Sequence, residues 1–312
     1  MKSIKVALVL GSGGARGLAH IGVLKVLKKY NIPIDCIIGT SMGAFIGGFF
    51  AAGYSPEEIE QIALSVDKIF TLKMLLPSAP RFGLIDTDRI IDYLNRYLGN
   101  KKIEDSKIPY FAITTDLVSG EEVVFNSGLF TNAITASVAV PGLVKPFFYK
   151  NHYFVDGGLV NPLPVSVAYK LNSKIIVAVN VSLEPLRISS PRTKPTPTFE
   201  KIRRKIQSNK LVSKLNEIIP DNFIYNLLNE YQKKAEPEYP SVVQTILQSF
   251  SIMENRLMKF HLQYYPPNVL INPHIQNFSM LEFYRAKELI TLGEESTLLK
   301  IREIKKLLKN LF

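Results

Sequence analysis

Apolar residues in the first 180 positions alternate between short continuous runs and runs with helical spacing. Lys5–Leu10 is apolar and partly β-branched, as in a buried strand, and Ala15–Lys29 then has apolar residues three and four positions apart. The alternation repeats in a predicted strand at Ile34–Ile38 and a small-residue helix at Gly43–Ala52. Strands that alternate with helices predict an α/β fold in three layers, with a mostly parallel central sheet covered by helices.

The pattern continues to residue 182. Ser55-Pro56-Glu57-Glu58 combines a serine cap, a first-turn proline and first-turn acids, which is typical of a helix start. The further predicted elements are a helix at Asp86–Tyr97 and strands at Tyr110–Leu117, Glu122–Phe125, Tyr153–Val155 and Lys174–Val181.

The chain divides into three predicted parts. Residues 1–182 form the predicted core, and 183–198, with four prolines, form a predicted linker. Residues 199–312 are mainly amphipathic helical segments and form a predicted helical C-terminal extension. Within it, the short apolar segment 268–272 is a candidate strand that returns to the sheet.

Composition narrows the class of protein. Of 312 residues, 46% are hydrophobic and 21% charged, which excludes a disordered, collagen-like or coiled-coil chain. The single cysteine, Cys36, excludes an intramolecular disulfide and a cysteine metal cage. Such sparse cysteine fits a reducing compartment, and no apolar run approaches the ~18 residues of a membrane span. We therefore expect a cytoplasmic protein, with peripheral attachment to the inner membrane face as an option.

The net charge of +11 is concentrated in one stretch. Residues 187–215 contain nine Lys and Arg residues against Glu200 alone, which favours an anionic surface. A phospholipid membrane is the expected partner and nucleic acid is not, although a solvated face is an open alternative. The apolar segment 66–84 is either a mobile lid or a helix buried against the sheet.

The motif Gly39-Thr40-Ser41-Met42-Gly43 lies between a predicted strand and a predicted helix. A nucleophilic serine needs such a tight turn, and glycines two residues before and after it avoid a steric clash. Gly39 and Gly43 therefore identify a candidate nucleophile elbow with Ser41 as nucleophile. A small-residue packing turn is the alternative.

A histidine base for this serine is not evident. His261 and His274 follow Ser41 in the order expected of an α/β-hydrolase, but neither lies in a distinctive local motif, and His20 fits a packed or surface position of a helix. Asp156, in Val155-Asp156-Gly157-Gly158, ends a short apolar strand and is a better candidate. An ordinary Asp-Gly turn is the alternative.

The third motif is the glycine loop, Gly11–Gly17, which follows the first strand. Its consecutive amides can bind an anion, and an oxyanion hole is the favoured interpretation. A dinucleotide site would need glycine or alanine where Arg16 lies, although Asp35 is near the position of a ribose-binding acid. A Walker loop is excluded, because no Gly-Lys-Ser/Thr ending is present.

Together, the glycine loop, the elbow and the Asp156 turn resemble the bacterial patatin-like phospholipases over about residues 1–182. The resemblance implies a Ser–Asp dyad, in which Ser41 is the nucleophile and Asp156 its base. It implies oxyanion amides from Gly13, Gly14 and Ala15, with Arg16 orienting or neutralising nearby charge. The family loop often begins with aspartate where this chain has Gly11-Ser12.

The resemblance further implies an enzyme without cofactor or metal that cleaves acyl esters of phospholipids, lysophospholipids or neutral lipids. An aspartate with an ordinary pKa of about 3.9 would be a weak base at neutral pH, so modest turnover is expected. Two other functions stay open at this point. One is a non-catalytic, membrane-associated regulatory protein that keeps the fold, and the other is a dinucleotide-dependent oxidoreductase.

Overall fold

A computed structural model describes residues 4–69, 85–182 and 242–311. Residues 4–69, 85–182 and 243–311 belong to one compact unit. The predicted linker 183–198, the basic stretch 187–215 and segment 199–241 lie outside the described residues, as do residues 70–84 of the candidate lid. The predicted division of the chain at residue 182 therefore stays a prediction.

The described residues form an eight-stranded sheet and α-helices on its two faces. The strands are β1 Val6–Leu10, β2 Cys36–Thr40, β3 Tyr110–Asp116, β4 Glu122–Phe125, β5 Phe147–Tyr149, β6 His152–Asp156, β7 Ile175–Val179 and β8 Val269–Ile271. The helices are α1 Ala19–Lys29, α2 Met42–Ala51, α3 Pro56–Leu64, α4 Thr87–Leu98, α5 Phe130–Ser137, α6 Val165–Lys170, α7 Val242–Tyr264 and α8 Ala286–Lys309.

The sheet is mostly parallel. Its order is β5-β6-β3-β2-β1-β7-β8, with β4 paired to β3. Strands β3, β2, β1, β7 and β8 run parallel, whereas β4, β5 and β6 form the antiparallel pairings. The predicted α/β class with a mostly parallel sheet is confirmed.

Strand β1 shows why the apolar runs predicted strands buried on both sides. Val6, Leu8 and Leu10 point into the larger core with residues of α1, α2 and α8. Ala7 and Val9 point the other way, into a core that includes residues of α6 and α7. Successive side chains of a strand face opposite sides, so an unbroken apolar run needs helices on both faces. The three layers follow from this arrangement.

Strand β3 brings β2 and β6 end to end. Thr40 of β2 pairs with Ile113, and Asp156 of β6 pairs with the next residue, Thr114. Strand β4 pairs with residues 112–115, so β2 and β6 share the other edge of β3. The end of β2 and the end of β6 therefore meet at one point of the sheet.

The C-terminal segment packs onto the same unit. Strand β8 adds to the sheet beside β7, in parallel, within the apolar segment 268–272. Helix α8 crosses α1 at two glycines: a Cβ on Gly22 would overlap the Ile290 carbonyl, and one on Gly293 would overlap the Ala19 carbonyl. This close backbone approach fixes α8 against the helix that follows the glycine loop.

No helix within the described ranges combines the length and the apolar character needed to cross a bilayer.

Candidate active site

Ser41 occupies a strained turn between β2 and α2. Its φ of 55° and ψ of −121° lie in a region that residues with a side chain rarely adopt. A Cβ on Gly39 would lie 2.5 Å from the Gly43 carbonyl oxygen, and one on Gly43 would overlap the Leu10 carbonyl. Both glycines are thus required by close backbone contacts, as the elbow motif predicts.

The Ser41 hydroxyl and the Asp156 carboxyl group are hydrogen-bonded. Ser41 Oγ donates to Asp156 Oδ2 at 2.6 Å, and both residues are buried. The second carboxyl oxygen, Oδ1, accepts from the Gly158 amide at 2.8 Å. The carboxyl group is therefore held from both sides, with one oxygen directed at the serine.

Burial changes the basicity of Asp156. Desolvation raises its pKa from the ordinary 3.8 to about 7, against the opposing effect of the hydrogen bonds from Ser41 and Gly158. A general base is most effective when its pKa lies near the working pH. The Asp156 carboxylate is therefore more basic than the ordinary aspartate assumed from the sequence.

Ser137 holds the backbone of the elbow, and the sequence did not indicate it. Its Oγ accepts a hydrogen bond from the Ser41 amide at 2.9 Å and donates to the Ile113 carbonyl at 2.6 Å. The residue ends α5, a helix of small and apolar residues without a recognisable motif. The pairing of β2 with β3 at Ile113 creates this position, so only the register of the sheet reveals it.

The glycine loop lies against the elbow. The Gly11 carbonyl lies within 2.8 Å of a Cβ placed on Gly43, and Gly14 lines the same cavity as Ser41. Gly14 has φ of 56°, and a Cβ there would contact the side chain and carbonyl of Met280. The loop therefore needs glycine at position 14 for both its conformation and its space.

Two of the three predicted oxyanion amides are available. The amides of Gly13 and Gly14 donate to no group among the described residues, whereas the Ala15 amide donates to the Met280 carbonyl at 2.8 Å. The third predicted donor is thus already hydrogen-bonded to the C-terminal segment that precedes α8. In this structure Ala15 contributes to loop anchoring.

Arg16 and His20 orient the loop. Arg16 is buried, and its Nε donates to the Gly13 carbonyl at 2.9 Å. The Gly14 N–H belongs to the same trans peptide and therefore points away from Arg16. His20 Nε2 lies 2.9 Å from the Gly11 carbonyl, and burial lowers the pKa of His20 to about 4, so its ring is neutral.

None of the four histidines, all of which the structure describes, is hydrogen-bonded to Ser41. His152 Nδ1 lies 2.7 Å from Asp116 Oδ2, and His261 Nδ1 lies 3.1 Å from Asn161 Oδ1. His20 contacts the loop as described above. The carboxyl group of Asp156 is the titratable group that faces the serine.

The geometry also bears on the dinucleotide alternative. Asp35 precedes β2, and its carboxylate accepts the amides of Lys5 and Val6 at 3.0 and 2.8 Å. It therefore lies at the amino end of β1, whereas the glycine loop follows the carboxyl end.

In the described part of the chain, no group of three His, Cys, Asp or Glu side chains could hold a metal ion.

An apolar cavity of about 200 Å³ opens beside Ser41. Helices α2, α3 and α4 form much of its wall, and Met280, Leu281 and Phe283 close another side. Among the lining residues that the structure describes, Ser41 and Tyr93 carry polar side-chain atoms. An apolar cavity of about 150 Å³ can hold a benzene ring, so this one accommodates a hydrocarbon segment.

Comparison with known proteins gives consistent matches. The family model for patatin-like phospholipase matches residues 8–169, which include the glycine loop, the elbow and Asp156. An uncharacterised NTE family protein of Mycobacterium tuberculosis is 30% identical over 93% of this chain and 89% of its own length. The crystal structure of VipD from Legionella pneumophila covers 98% of this chain and 67% of VipD, at 12% identity and a TM-score of 0.44.

Patatin-like phospholipase domain-containing protein 7 of Rattus norvegicus is 35% identical over 56% of this chain, and the match spans 13% of the rat protein. The family-model match covers more than half of the chain, and the mycobacterial relative extends the similarity over nearly all of it. The chain belongs to the patatin-like phospholipase family, a family of lipid hydrolases.

Proposed function

We propose that this protein is a serine acyl hydrolase that cleaves fatty-acyl esters of phospholipids or lysophospholipids. The observation that carries the proposal is the 2.6 Å hydrogen bond from Ser41 Oγ to Asp156 Oδ2, at the wall of an apolar cavity. Ser41 is the nucleophile, Asp156 is the base, and the amides of Gly13 and Gly14 bind the oxyanion.

The first half of the reaction forms an acyl-enzyme. Ser41 Oγ attacks the ester carbonyl carbon while its proton moves to Asp156, and the carbonyl electron pair becomes the oxyanion. The amides of Gly13 and Gly14 stabilise that charge, and losing one such donor typically costs about 100- to 1000-fold in rate. The C–O bond to the alcohol then breaks, and Asp156 returns the proton to the leaving alcohol.

The second half regenerates the serine. Water attacks the acyl-enzyme carbonyl and gives a proton to Asp156, and the bond to Ser41 Oγ breaks as the serine recovers that proton. A base with a pKa of about 7 is suited to both proton transfers at neutral pH. The fatty acid leaves, and no other reactant is needed.

The cavity supports a fatty-acyl substrate. Its lining of aliphatic, aromatic and methionine side chains favours a hydrocarbon chain, each buried methylene of which contributes about 0.8 kcal/mol. The same cavity offers little to bind a charged headgroup, which we place outside it.

Delivery from a membrane surface is part of the proposal. The nine basic residues of 187–215 would attract anionic headgroups. We expect the protein to sediment with vesicles that contain phosphatidylglycerol and not with pure phosphatidylcholine vesicles. Added salt should release it, since screening weakens attraction between exposed charges. Equal binding to both vesicle types would contradict this part of the proposal.

Fatty-acid release from a long-chain lysophospholipid, measured in the presence of a chelator, tests the function. The parent protein should release fatty acid, and Ser41→Ala and Asp156→Asn should lower the rate by about 1000-fold or more. A fluorophosphonate probe should label the parent at Ser41. Ser119→Ala, in the exposed turn after β3, and Asp88→Asn, on the exposed face of α4, are matched controls that should retain the parent rate.

Two outcomes would overturn the proposal. Equal fatty-acid release by the parent and Ser41→Ala would exclude Ser41 as nucleophile. Vesicle binding by a parent that neither hydrolyses the ester nor reacts with the probe would favour the non-catalytic regulatory function.

A further inference from the structure

Glu254 places a buried carboxyl group against the glycine loop. The residue lies on α7 and is 1% exposed. Ser12, in the loop, donates its hydroxyl proton to Glu254 Oε1. Glu254 lies outside residues 8–169, the part that matches the family model, so a separate segment of the chain contributes this contact.

The same carboxyl group lies against the Asp156 turn. A Cβ placed on Gly158 would overlap Glu254 Oε1 and lie 3.1 Å from Asp156 Oδ1. The two carboxyl groups therefore approach the same glycine. Phe250, one turn earlier on α7, would also lie 3.0 Å from that Cβ. Only glycine leaves enough space at position 158 for Glu254 to reach this place.

The charged and titratable groups that face Glu254 are Asp156 on β6 and Arg16 in the glycine loop. Burial, together with the neighbouring Asp156, raises the pKa of Glu254 to about 8, and the Ser12 hydrogen bond and Arg16 oppose the shift. Two neighbouring buried carboxyl groups ionise one after the other, because the first charge makes the second costly.

We propose that Glu254 is a positioning residue of the active site: it retains its proton while Asp156 is ionised, and it joins the glycine loop to the Asp156 turn. The proposal rests on the proposed acyl hydrolase function. A protonated Glu254 confines the negative charge of the pair to the Asp156 carboxylate, which faces Ser41. A neutral Glu254 also leaves the region of Gly13 and Gly14 free of a charge that would oppose the oxyanion.

The proposal predicts a bell-shaped pH dependence of kcat/KM. Activity rises as the pair loses its first proton, near pH 7, because Asp156 must be ionised to act as base. It falls as the second proton is lost, near pH 8, because an ionised Glu254 repels the developing oxyanion. A merely structural Glu254 would leave the alkaline side of the profile unchanged on substitution.

The test is the pH profile of Glu254→Gln with a short-chain ester, between about pH 5 and 10. Glutamine imitates the neutral carboxyl group, so we expect kcat/KM near pH 7 within about threefold of the parent. The acid side should persist and the alkaline fall should disappear. Glu295→Gln, at an exposed position of α8, is the control and should keep both sides. A Glu254→Gln profile that superimposes on that of the parent would overturn the proposal.

A second variant covers failure of Glu254→Gln to fold. Ser12→Ala removes the hydrogen bond that favours the ionised form of Glu254, so the alkaline fall should move to higher pH. An unchanged alkaline fall in this variant would also contradict the proposal.

A readout without turnover separates this inference from the proposed function. Infrared difference spectra between about pH 6 and 9 should show two losses of protonated-carboxyl C=O absorbance in the parent, one near pH 7 from Asp156 and one near pH 8 from Glu254, and Glu254→Gln should keep only the first. An active parent without the second loss would refute the inference alone. An inactive parent that shows the second loss would refute the hydrolase function. The protonation of Glu254 would then be confirmed, but its positioning role in catalysis would be refuted together with that function.

Discussion

The hydroxyl of Ser137 joins the backbone amide of Ser41 to the carbonyl of Ile113. It accepts from the Ser41 amide at 2.9 Å and donates to Ile113 at 2.6 Å. The strained φ and ψ of Ser41 are thus held by a bond to its own amide, in addition to the bond that its side chain makes with Asp156. A strained turn persists only where its surroundings determine it, and Ser137 supplies part of that constraint.

Ser137→Ala should lower kcat by about 10- to 100-fold, since a small displacement of a nucleophile has effects of this size. It leaves the Ser41 amide buried without an acceptor, which should lower the free energy of unfolding by about 1–3 kcal/mol. Ester hydrolysis and urea unfolding measure the two effects. Thr135→Ala is the control, because the Thr135 hydroxyl donates within α5, to the carbonyl of Thr131. Parent-like kcat in Ser137→Ala would contradict the proposed constraint.

Asp156→Asn should change how stability depends on pH. The pKa of Asp156 is raised to about 7 in the folded protein, so the folded state binds this proton more tightly than the unfolded chain. The resulting stabilisation is complete below about pH 4 and is lost as pH rises through about 7. Asparagine does not titrate. Between pH 4 and 8 the free energy of unfolding of Asp156→Asn should therefore rise by about 2–4 kcal/mol relative to that of the parent.

Urea unfolding of both proteins at several pH values measures this gain. Asp88→Asn, at an exposed position of α4, is the matched control. A stability difference between parent and Asp156→Asn that is the same at every pH would show that Asp156 is not desolvated as described.

Ala63→Phe should shorten the preferred acyl chain. Ala63 lines the cavity from α3, and a phenyl ring there fills space that the end of a long chain would occupy. Excluding three methylenes at about 0.8 kcal/mol each lowers the ratio of long-chain to short-chain kcat/KM by about 50-fold. Esters of graded length give the ratio. Leu64→Phe, next to it on the exposed side of α3, should leave the ratio unchanged; an equal loss in both variants would argue against an acyl site here.

Gly293→Ala should destabilise the fold. A Cβ at this position overlaps the Ala19 carbonyl, so α8 must move away from α1, at a cost of about 1–3 kcal/mol. Thermal and urea unfolding measure the loss. Leu299→Ala, at a position of α8 that is 78% exposed, is the control and should change stability by about 0.5 kcal/mol or less. Equal effects of the two substitutions would indicate that the helices do not meet at this glycine.

Local motifs account for what the sequence predicted well. The apolar runs indicated buried parallel strands. Gly39, Ser41 and Gly43 indicated a strand–turn–helix, because the two glycines avoid steric clashes around the serine within five consecutive positions. Asp156 was predicted to be the base from its Gly-Gly neighbours and the family resemblance, and that role stays a prediction. The hydrogen bond between Ser41 and Asp156 depends on the register of β3, which no local pattern contains.

The features that the sequence did not predict arise from contacts between distant segments. Ser137 and Glu254 are ordinary residues of two helices, and only the packed sheet brings them to the site. The Ala15 amide was predicted to be an oxyanion donor, but it donates to the carbonyl of Met280, which lies far along the chain. The raised pKa of Asp156 likewise results from burial by several elements, which a motif cannot express.

The end-to-end meeting of β2 and β6 on β3 also bears on how such enzymes diversify. The separation of Ser41 and Asp156 is set by one step along a third strand, from Ile113 to Thr114, and not by the length of polypeptide that connects them. Insertions in the connections can therefore reshape the surroundings of the site while Ser41 and Asp156 keep their spacing. A one-residue deletion inside β3, in contrast, would shift one partner by about 3.3 Å and separate the two.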